Sequence, residues 1–483
     1  MLGKKMRRID KIILKPAECA VDLSDGSERG LYVDQDYILQ KLGRPHRAVN
    51  IMYCYYPHEK TWPVRASEAY KNLDVSFAWG YPYDDYFTYK GGIGGTTDDE
   101  PFTCMRDIRR HGQDVILTLT CDPKLEDEYI VQIARELKPF GRMMLRLNHE
   151  CTGNWFSFTK RASYREIADF FVRFHRIIKE YAPNVSMILC AGAADVPGSE
   201  KVEMEDEFLE AVRETEIWSI DKYIALNWGW PYEVAEKNNR QHKGGKAKDT
   251  FDCAKKTYKR YAELTGMTKP IVLSEINADG DVTGPYEQCR IMQDLYDRIR
   301  KNRNFRLSAS CFYQFRDDGR LGLEKTSPNN PNVGIEQPIL KTYREIIHNS
   351  FFEPKIADGG KTELPVRLRW GSSEDAEGIA MKLHFKGEPV FAEANFEGEL
   401  EDANLILELN DMWFYKAPGV KFVDFMPAFY NSPLNGKKNL TLKIFAPPAG
   451  GENDISSEDL LYNFYYELKD LPKIRLRFEP ICV

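Results

Sequence analysis

The sequence predicts an α/β protein, a (β/α)8 TIM barrel followed by a C-terminal all-β sandwich domain. Three observations predict it. From residue 46 to 350, short apolar runs alternate with helical patterns, as parallel strands joined by crossover helices require. Eight such runs fall within about 300 residues, the size of one barrel. Beyond about residue 350, helical periodicity gives way to short alternating segments broken by Gly, Pro, Asn and Asp, which suits a sandwich. Division of 483 residues by the usual domain size allows three domains. The strand count reduces that to two, a barrel over 46–350 and a β-domain over 355–483, with 1–45 as an arm packing on the barrel.

In order, the strand candidates are Ala48–Tyr55, Asp74–Trp79, Val115–Thr120, Met143–Leu147, Val185–Cys190, Tyr223–Asn227, Ile271–Ser274 and Leu307–Phe312. Ser163 and Glu166 form a capping box ahead of Ile167, Phe170, Phe171, Phe174, Ile177 and Ile178, an apolar helical face that Pro183 ends. Pro285 opens a helix through Ile291, Leu295 and Ile299, and Gly266 closes another before the strand at Ile271. An open doubly wound sheet would want a phosphate-binding glycine turn after an early strand. The stretch Gly91-Gly92-Ile93-Gly94-Gly95-Thr96-Thr97 lacks the lysine and the spacing for that role, and reads as a flexible βα loop. In the β-domain, Trp413, Phe414 and Tyr415 form a stripe that is either core or a carbohydrate-binding surface.

With 42% hydrophobic, 12% aromatic and 29% charged residues, the chain has the composition of a globular protein. Its 67 basic and 74 acidic residues leave a formal charge of −7, evenly spread. That argues against nucleic acid or an anionic membrane as partner and for a neutral ligand. The N-terminus has no secretory apolar core, and no run is long enough to span a bilayer. Ten cysteines fall singly, without zinc spacing, which predicts free thiols in a reducing cytoplasm, or secretion only if a leader has been removed. Neither a His-x-His pair nor a Gly-x-Ser-x-Gly elbow occurs, so no metal and no cofactor is expected.

Chemistry in such a barrel belongs at the C-terminal strand ends. The fourth strand runs Met143-Met144-Leu145-Arg146-Leu147-Asn148-His149-Glu150, and alternation puts Met144, Arg146, Asn148 and Glu150 on one face. Polar residues on that face must point inward near the mouth, because the outer face packs on helices. The seventh strand ends at Glu275, three β/α units later, so Glu150 and Glu275 should face each other across the mouth. Two carboxylates converging on a cleft with aromatics are the equipment of glycoside hydrolysis. Arg146 would keep its carboxylate partner ionised, while apolar surroundings and the neighbouring charge raise the other. After the first apolar run, Tyr53, Tyr55, Tyr56 and His58 are further candidates for sugar contact.

The segment Arg146-Leu147-Asn148-His149-Glu150-Cys151-Thr152-Gly153-Asn154-Trp155-Phe156 resembles the fourth-strand motif of glycoside hydrolase family 26, the β-mannanases and relatives of the retaining (β/α)8 clan. The seventh strand, Lys269-Pro270-Ile271-Val272-Leu273-Ser274-Glu275, is similar to that family's nucleophile strand. The resemblance covers the barrel and leaves the β-domain untouched. It implies Glu150 as general acid/base, Glu275 as nucleophile, His149 and Arg146 as groups that position sugar and carboxylates, and Trp155 as a sugar platform; Asn148, on the inward face by alternation, is a further substrate-binding candidate. At the sixth strand the family carries an Asp followed by a Tyr that hydrogen-bonds the nucleophile. Here Leu226-Asn227-Trp228-Gly229-Trp230-Pro231-Tyr232 puts Asn227 in the place of the Asp and leaves Trp230 or Tyr232 for the Tyr, with Trp228 beside them. Tyr313 stands at the eighth strand where a Trp is common. The implied activity is retaining hydrolysis of a β-linked glycan, mannan first, then mixed-linkage glucan or xylan. A non-catalytic carbohydrate-binding barrel is the alternative that the sixth- and eighth-strand departures raise.

Overall fold

The computed structural model describes residues 7–25, 33–59, 87–153, 156–191, 207–224, 246–280, 284–317, 321–369, 376–385, 389–430, 436–446 and 465–478, with Gly387 and Leu434. Its centre is a closed barrel of eight parallel strands: Ala20–Ser24, Ala48–Tyr55, Asp114–Cys121, Met143–Leu147, Val185–Leu189, Ile217–Asp221, Ile271–Ile276 and Ala309–Phe312. Closure comes from the first strand, which pairs with the eighth at Ala20–Leu23 and with the second at Asp22–Ser24.

That first strand lies inside the stretch expected to be an arm. It is only five residues long and carries Asp22 at its centre, so an apolar-run criterion passes over it. Asp22 is 2% exposed and is stabilised inside by Arg47, whose Nε and Nη2 donate to its carboxylate at 2.9 and 2.5 Å. The expected strand Asp74–Trp79 lies outside the described residues, and Ala48–Tyr55 pairs directly with Asp114–Cys121 over eight residues. With one strand gained before residue 46 and no barrel position left between Ala48–Tyr55 and Asp114–Cys121, the third, fourth, fifth, seventh and eighth strands keep their expected ranks. The sixth does not keep its place: it is Ile217–Asp221, not Tyr223–Asn227. Ile224 makes an isolated bridge to Ala278, and Asn227 falls outside the described residues.

The helices follow their end signals. Tyr164–Tyr181 begins at the Ser163/Glu166 capping box, Pro285–Lys301 carries its proline at the first turn, and Ala247–Thr265 ends on Gly266 at φ 68°. Among the described residues no helix is long and apolar enough to cross a membrane. The glycine-rich stretch, expected to be loose, is anchored. Gly92 N–H donates to both oxygens of the buried Glu136 carboxylate at 2.9 Å, and Tyr89 Oη donates to it at 2.7 Å. A side chain at Gly95 would stand 2.4 Å from the Gly91 carbonyl oxygen, which explains the glycine there.

The β-domain is a large antiparallel sheet facing a three-stranded one formed by Phe422–Asp424, Phe391–Asn395 and Lys473–Arg477. Leu405, Leu407, Leu442 and Ile444 from the large sheet share a core with Ala392, Ala394 and Val423 from the small one, giving the expected sandwich. The N-terminal strand Arg8–Lys15 belongs here, between Lys355–Glu363 and Ala376–His384. The large sheet is buried on its other face too. Ile12, Leu14, Ile406, Trp413 and Phe445 pack with Leu39, on the helix Gln35–Leu42 beside the barrel. The aromatic stripe is therefore divided between two buried faces: Trp413 and Tyr415 face the barrel, the latter 4.1 Å from the His111 ring, while Phe414 meets Phe425 edge-on inside the sandwich. It is packing, not a sugar surface.

Because the chain enters the β-domain before it enters the barrel, the two should not separate. Truncation at residue 355 removes both neighbours of Arg8–Lys15 and uncovers the barrel, so the truncated chain is expected to lose solubility. Trp413→Ala should cost about 3–5 kcal/mol in urea unfolding, as for a core residue of a single cooperative unit.

Candidate active site

A β-bulge aims the seventh strand into the barrel mouth. Ile220 and Asp221 pair with Leu273 and Glu275, skipping Ser274, and the eighth strand's register shifts at the same point. A regular strand would send Ser274 and Glu275 to opposite faces. The extra residue lets both point inward. Ser274 Oγ donates to Asp221 Oδ1 at 2.5 Å, and Glu275 Oε1 accepts from Arg146 Nη2.

The fourth strand is re-aimed by a different device. It ends at Leu147, and Asn148 and Glu150 both adopt left-handed backbone, at φ 45° and 50°. Asn148 tolerates this because its amide replaces strand pairing: Oδ1 accepts from Cys121 N–H at 2.7 Å and Nδ2 donates to Cys121 O at 3.1 Å. Asn148 is thus a brace between the third and fourth strand ends rather than a group reaching for a ligand. The break in alternation swings His149 onto the same side as Arg146, and its Nε2 stands 3.7 Å from Glu275 Oε1. Strict alternation had put His149 on the other face. Glu150 is half-buried beside the fifth strand's end, where its backbone N–H and its charge both act on the Cys190 thiol.

Arg146 has no exposed surface and is fully committed. Nε donates to Thr118 Oγ1 at 2.9 Å, Nη1 to both Asp221 oxygens at 3.0 Å, and Nη2 to Glu275. Tyr223 Oη donates to the other Glu275 oxygen at 2.6 Å, and Tyr313 packs edge-on against Tyr223 with ring centres 5.6 Å apart. One cation is therefore shared by two buried carboxylates. Burial, then the Asp221 charge, pushes Glu275 up to about 7, against the lowering effects of Arg146 and Tyr223. The sequence led to the expectation that Arg146 keeps its carboxylate partner ionised; instead burial, and then the charge of Asp221 on the same guanidinium, outweigh Arg146 at Glu275. Burial and the Arg146 charge keep His149 neutral, its basicity far below the ordinary imidazole.

His149, Asp221 and Glu275 present ligand atoms within 4.8 Å of one another, the geometry of a metal site. The Arg146 guanidinium already lies against both carboxylates, and a divalent ion would have to displace it.

Arg146, His149, Glu275 and Tyr313 are thus brought to one mouth, and Glu150 is half-buried just past the fourth strand, beside Cys190. Trp155, Asn227, Trp228, Trp230 and Tyr232 lie outside the described residues. Phe156 is 1% exposed and lies under His149 and against Phe158, a core residue. Tyr53, Tyr55 and Tyr56 are buried as well, and His58 pairs with Glu126 at 2.9 Å. Asp221 and Tyr223 were missed, because the apolar run at Tyr223–Asn227 drew the sixth strand six residues too late. The signal was present in Ile217-Trp218-Ser219-Ile220-Asp221, an alternating run ending in an acid and followed two residues later by Tyr223.

No protein-family model matches the chain, and no curated protein matches it. Among solved structures it is similar to a family 51 α-L-arabinofuranosidase from Bifidobacterium longum, at 10% identity over 91% of this chain and 99% of that one, with a TM-score of 0.45. A family 26 β-mannanase from Bacteroides ovatus is similar at 10% identity over 69% and 89%, TM-score 0.40. A family 39 glycoside hydrolase from Bacteroides cellulosilyticus is similar at 10% identity over 89% and 81%, TM-score 0.40. At these scores the fold rests on the strand pairing above and the chemistry on the side chains.

The raised Glu275 pKa makes stability fall as pH rises. Between about 4.5 and 7 the folded state keeps a proton that the unfolded state has lost. The stability this gives is whole below 4.5 and gone above 7. Glu275→Gln should therefore be more stable than wild type at pH 8 by of order 2–3 kcal/mol in urea unfolding, with the gap closing towards pH 4.5.

Proposed function

We propose that the protein is a retaining glycoside hydrolase acting on a β-linked glycan, with Glu275 as nucleophile and Glu150 as acid/base. The observation that carries this reading is the clamped carboxylate at the seventh strand end. Tyr223 and Arg146 hold one Glu275 oxygen each, so its orientation is fixed before substrate arrives. Asp221 keeps Arg146 from neutralising it fully. A carboxylate with raised basicity is the better nucleophile, at the cost of being partly protonated below pH 7.

In the first step Glu275 attacks the anomeric carbon as Glu150 protonates the leaving oxygen. In the second, ionised Glu150 takes a proton from water as the water oxygen attacks the anomeric carbon and the bond to Glu275 breaks, which releases the sugar and restores the Glu275 carboxylate. Two carboxylates against one guanidinium leave the cleft one negative charge in excess, which stabilises positive charge developing on the sugar ring. The fourth-strand segment Arg146 to Phe156 supports a β-mannan as substrate, ahead of mixed-linkage glucan and xylan. Asp221 and Tyr223 beside Glu275 support the catalytic reading over a non-catalytic carbohydrate-binding barrel.

On defined β-linked oligosaccharides, Glu275→Ala is expected to abolish turnover, and Glu150→Ala to slow it about 10²–10⁴-fold. Azide should restore activity to Glu150→Ala more than to Glu275→Ala, and the first-formed product should keep the β configuration by NMR. Comparable, substantial activity in both single variants would overturn the assignment, and an inverted product would replace the double displacement with a single one.

Asp221→Asn removes the charge that raises Glu275. The acidic limb of kcat/KM, expected near pH 7 in the free enzyme, should move to lower pH in this variant. A pH profile of both proteins on one substrate measures it.

A further inference from the structure

The N-terminal end of the barrel, opposite Glu275, carries a cavity of about 180 Å³ between the barrel floor and the β-domain. Arg47, Arg142 and Ser308, each just ahead of a barrel strand, form one wall, and Trp413 of the β-domain closes the other. Lys15, Arg44 and His46 complete the polar lining, and among the described residues no carboxylate lines it.

Two of these cations are compensated from behind. Arg47 pairs with Asp22, and Arg142 pairs at 2.9 Å with Asp114, which also takes Arg109 at 2.6 Å. Arg44 has no such partner. It is 4% exposed, and its Nε and Nη1 donate only to backbone carbonyls, of Pro45, Ile347 and Phe352, at 3.2, 2.5 and 3.2 Å. Among the described residues its Nη2 finds no hydrogen-bond acceptor. The Ile347 carbonyl, at a helix C-terminus, offsets part of its charge. The Glu353 carboxylate acts on it from a distance, held 3.4 Å from His348. Beside it, His46 is 2% exposed, with Nε2 2.9 Å from Tyr343 Oη and Nδ1 buried without a partner.

Native interiors rarely leave a guanidinium without a counter-ion or a buried ring nitrogen unsatisfied. Here both residues line the same cavity. We propose that this cavity binds a small oxyanion, a phosphate or the carboxylate of a compact organic acid, which takes Arg44 Nη2 as its buried cationic partner and Lys15 at its mouth. The Tyr343 hydroxyl stands 3.4 Å from the Asp22 carbonyl and 2.9 Å from Nε2 of His46; with an anion bound it would donate to the nearer Nε2, which leaves the His46 proton on Nδ1 to donate to the anion. The volume, roughly that of six waters, suits such a group. Because the bound anion would touch the barrel floor and the β-domain together, occupancy should raise the stability of their union.

The test is calorimetric titration of the full chain with inorganic phosphate and, separately, with succinate, at ionic strength held constant with chloride. Saturable binding at one site is expected for at least one of them, with a Kd below about 1 mM, together with a rise in the unfolding midpoint. The two titrations distinguish the sources. Lys15→Ala, at an exposed position, should weaken binding about three- to tenfold. Ala17→Glu, which brings a carboxylate to the cavity wall, should abolish binding and raise the midpoint without added anion. Arg44→Met should also abolish binding, and if that variant does not fold, the other two decide. No saturable binding of either anion up to about 10 mM, or binding unchanged in both Lys15→Ala and Ala17→Glu, overturns the proposal.

Discussion

One guanidinium, Arg146, organises the interior of this barrel. Beneath it lies an apolar layer of Ala48, Ile116, Met144 and Ile188. At its own level a chain of hydrogen bonds runs from Ser24 through Asn50 and Thr118 to Arg146, crossing the first four strands. Beyond it stand Asp221 and Glu275 on the sixth and seventh. A buried cation of this size is tolerable only with its charge and donors satisfied, and here its three nitrogens reach three different strands. The geometry of the mouth follows from that requirement. The bulge at Ser274 brings a second polar side chain to Asp221 without moving Glu275 away from the guanidinium.

The same constraint explains what could be read from the sequence. Fold class was legible because barrel strands buried on both faces read as apolar runs, and seven of the eight strands fall in such runs or beside them. The exception, Ala20–Ser24, is short and carries the buried Asp22, so it reads as a polar connector. Its pairing depends on Arg47, far enough away in sequence that no local pattern reveals it. The placement of Arg8–Lys15 in the β-domain is likewise a long-range pairing, and 340 residues separate it from its partners' region by simple inspection of the chain.

In the site, Arg146 and Glu275 were legible because a charged residue within or directly after an apolar strand has few places to go. His149 was legible by motif but not by alternation, since one left-handed residue reverses the face, and nothing in a strand pattern announces Asn148 as that residue. Asp221 and Tyr223 were hidden by a competing apolar run. Their roles are set by distance to Glu275, and that distance exists only once the sixth strand has its true register against the seventh.

Net charge illustrates the same division between what composition holds and what geometry adds. A formal charge of −7 over 483 residues suits a neutral ligand, yet it describes neither end of the barrel. At the C-terminal end two carboxylates share one guanidinium, a local excess of negative charge when both are ionised. At the N-terminal end Arg47 pairs with Asp22, and Arg109 and Arg142 share Asp114, while among the described residues no carboxylate stands at ion-pair distance from Arg44, a buried positive charge left over. Buried charges are screened far less than surface ones, so each imbalance acts within a few ångströms and is invisible in the sum. What each end can bind is decided by the charge its own side chains leave unpaired.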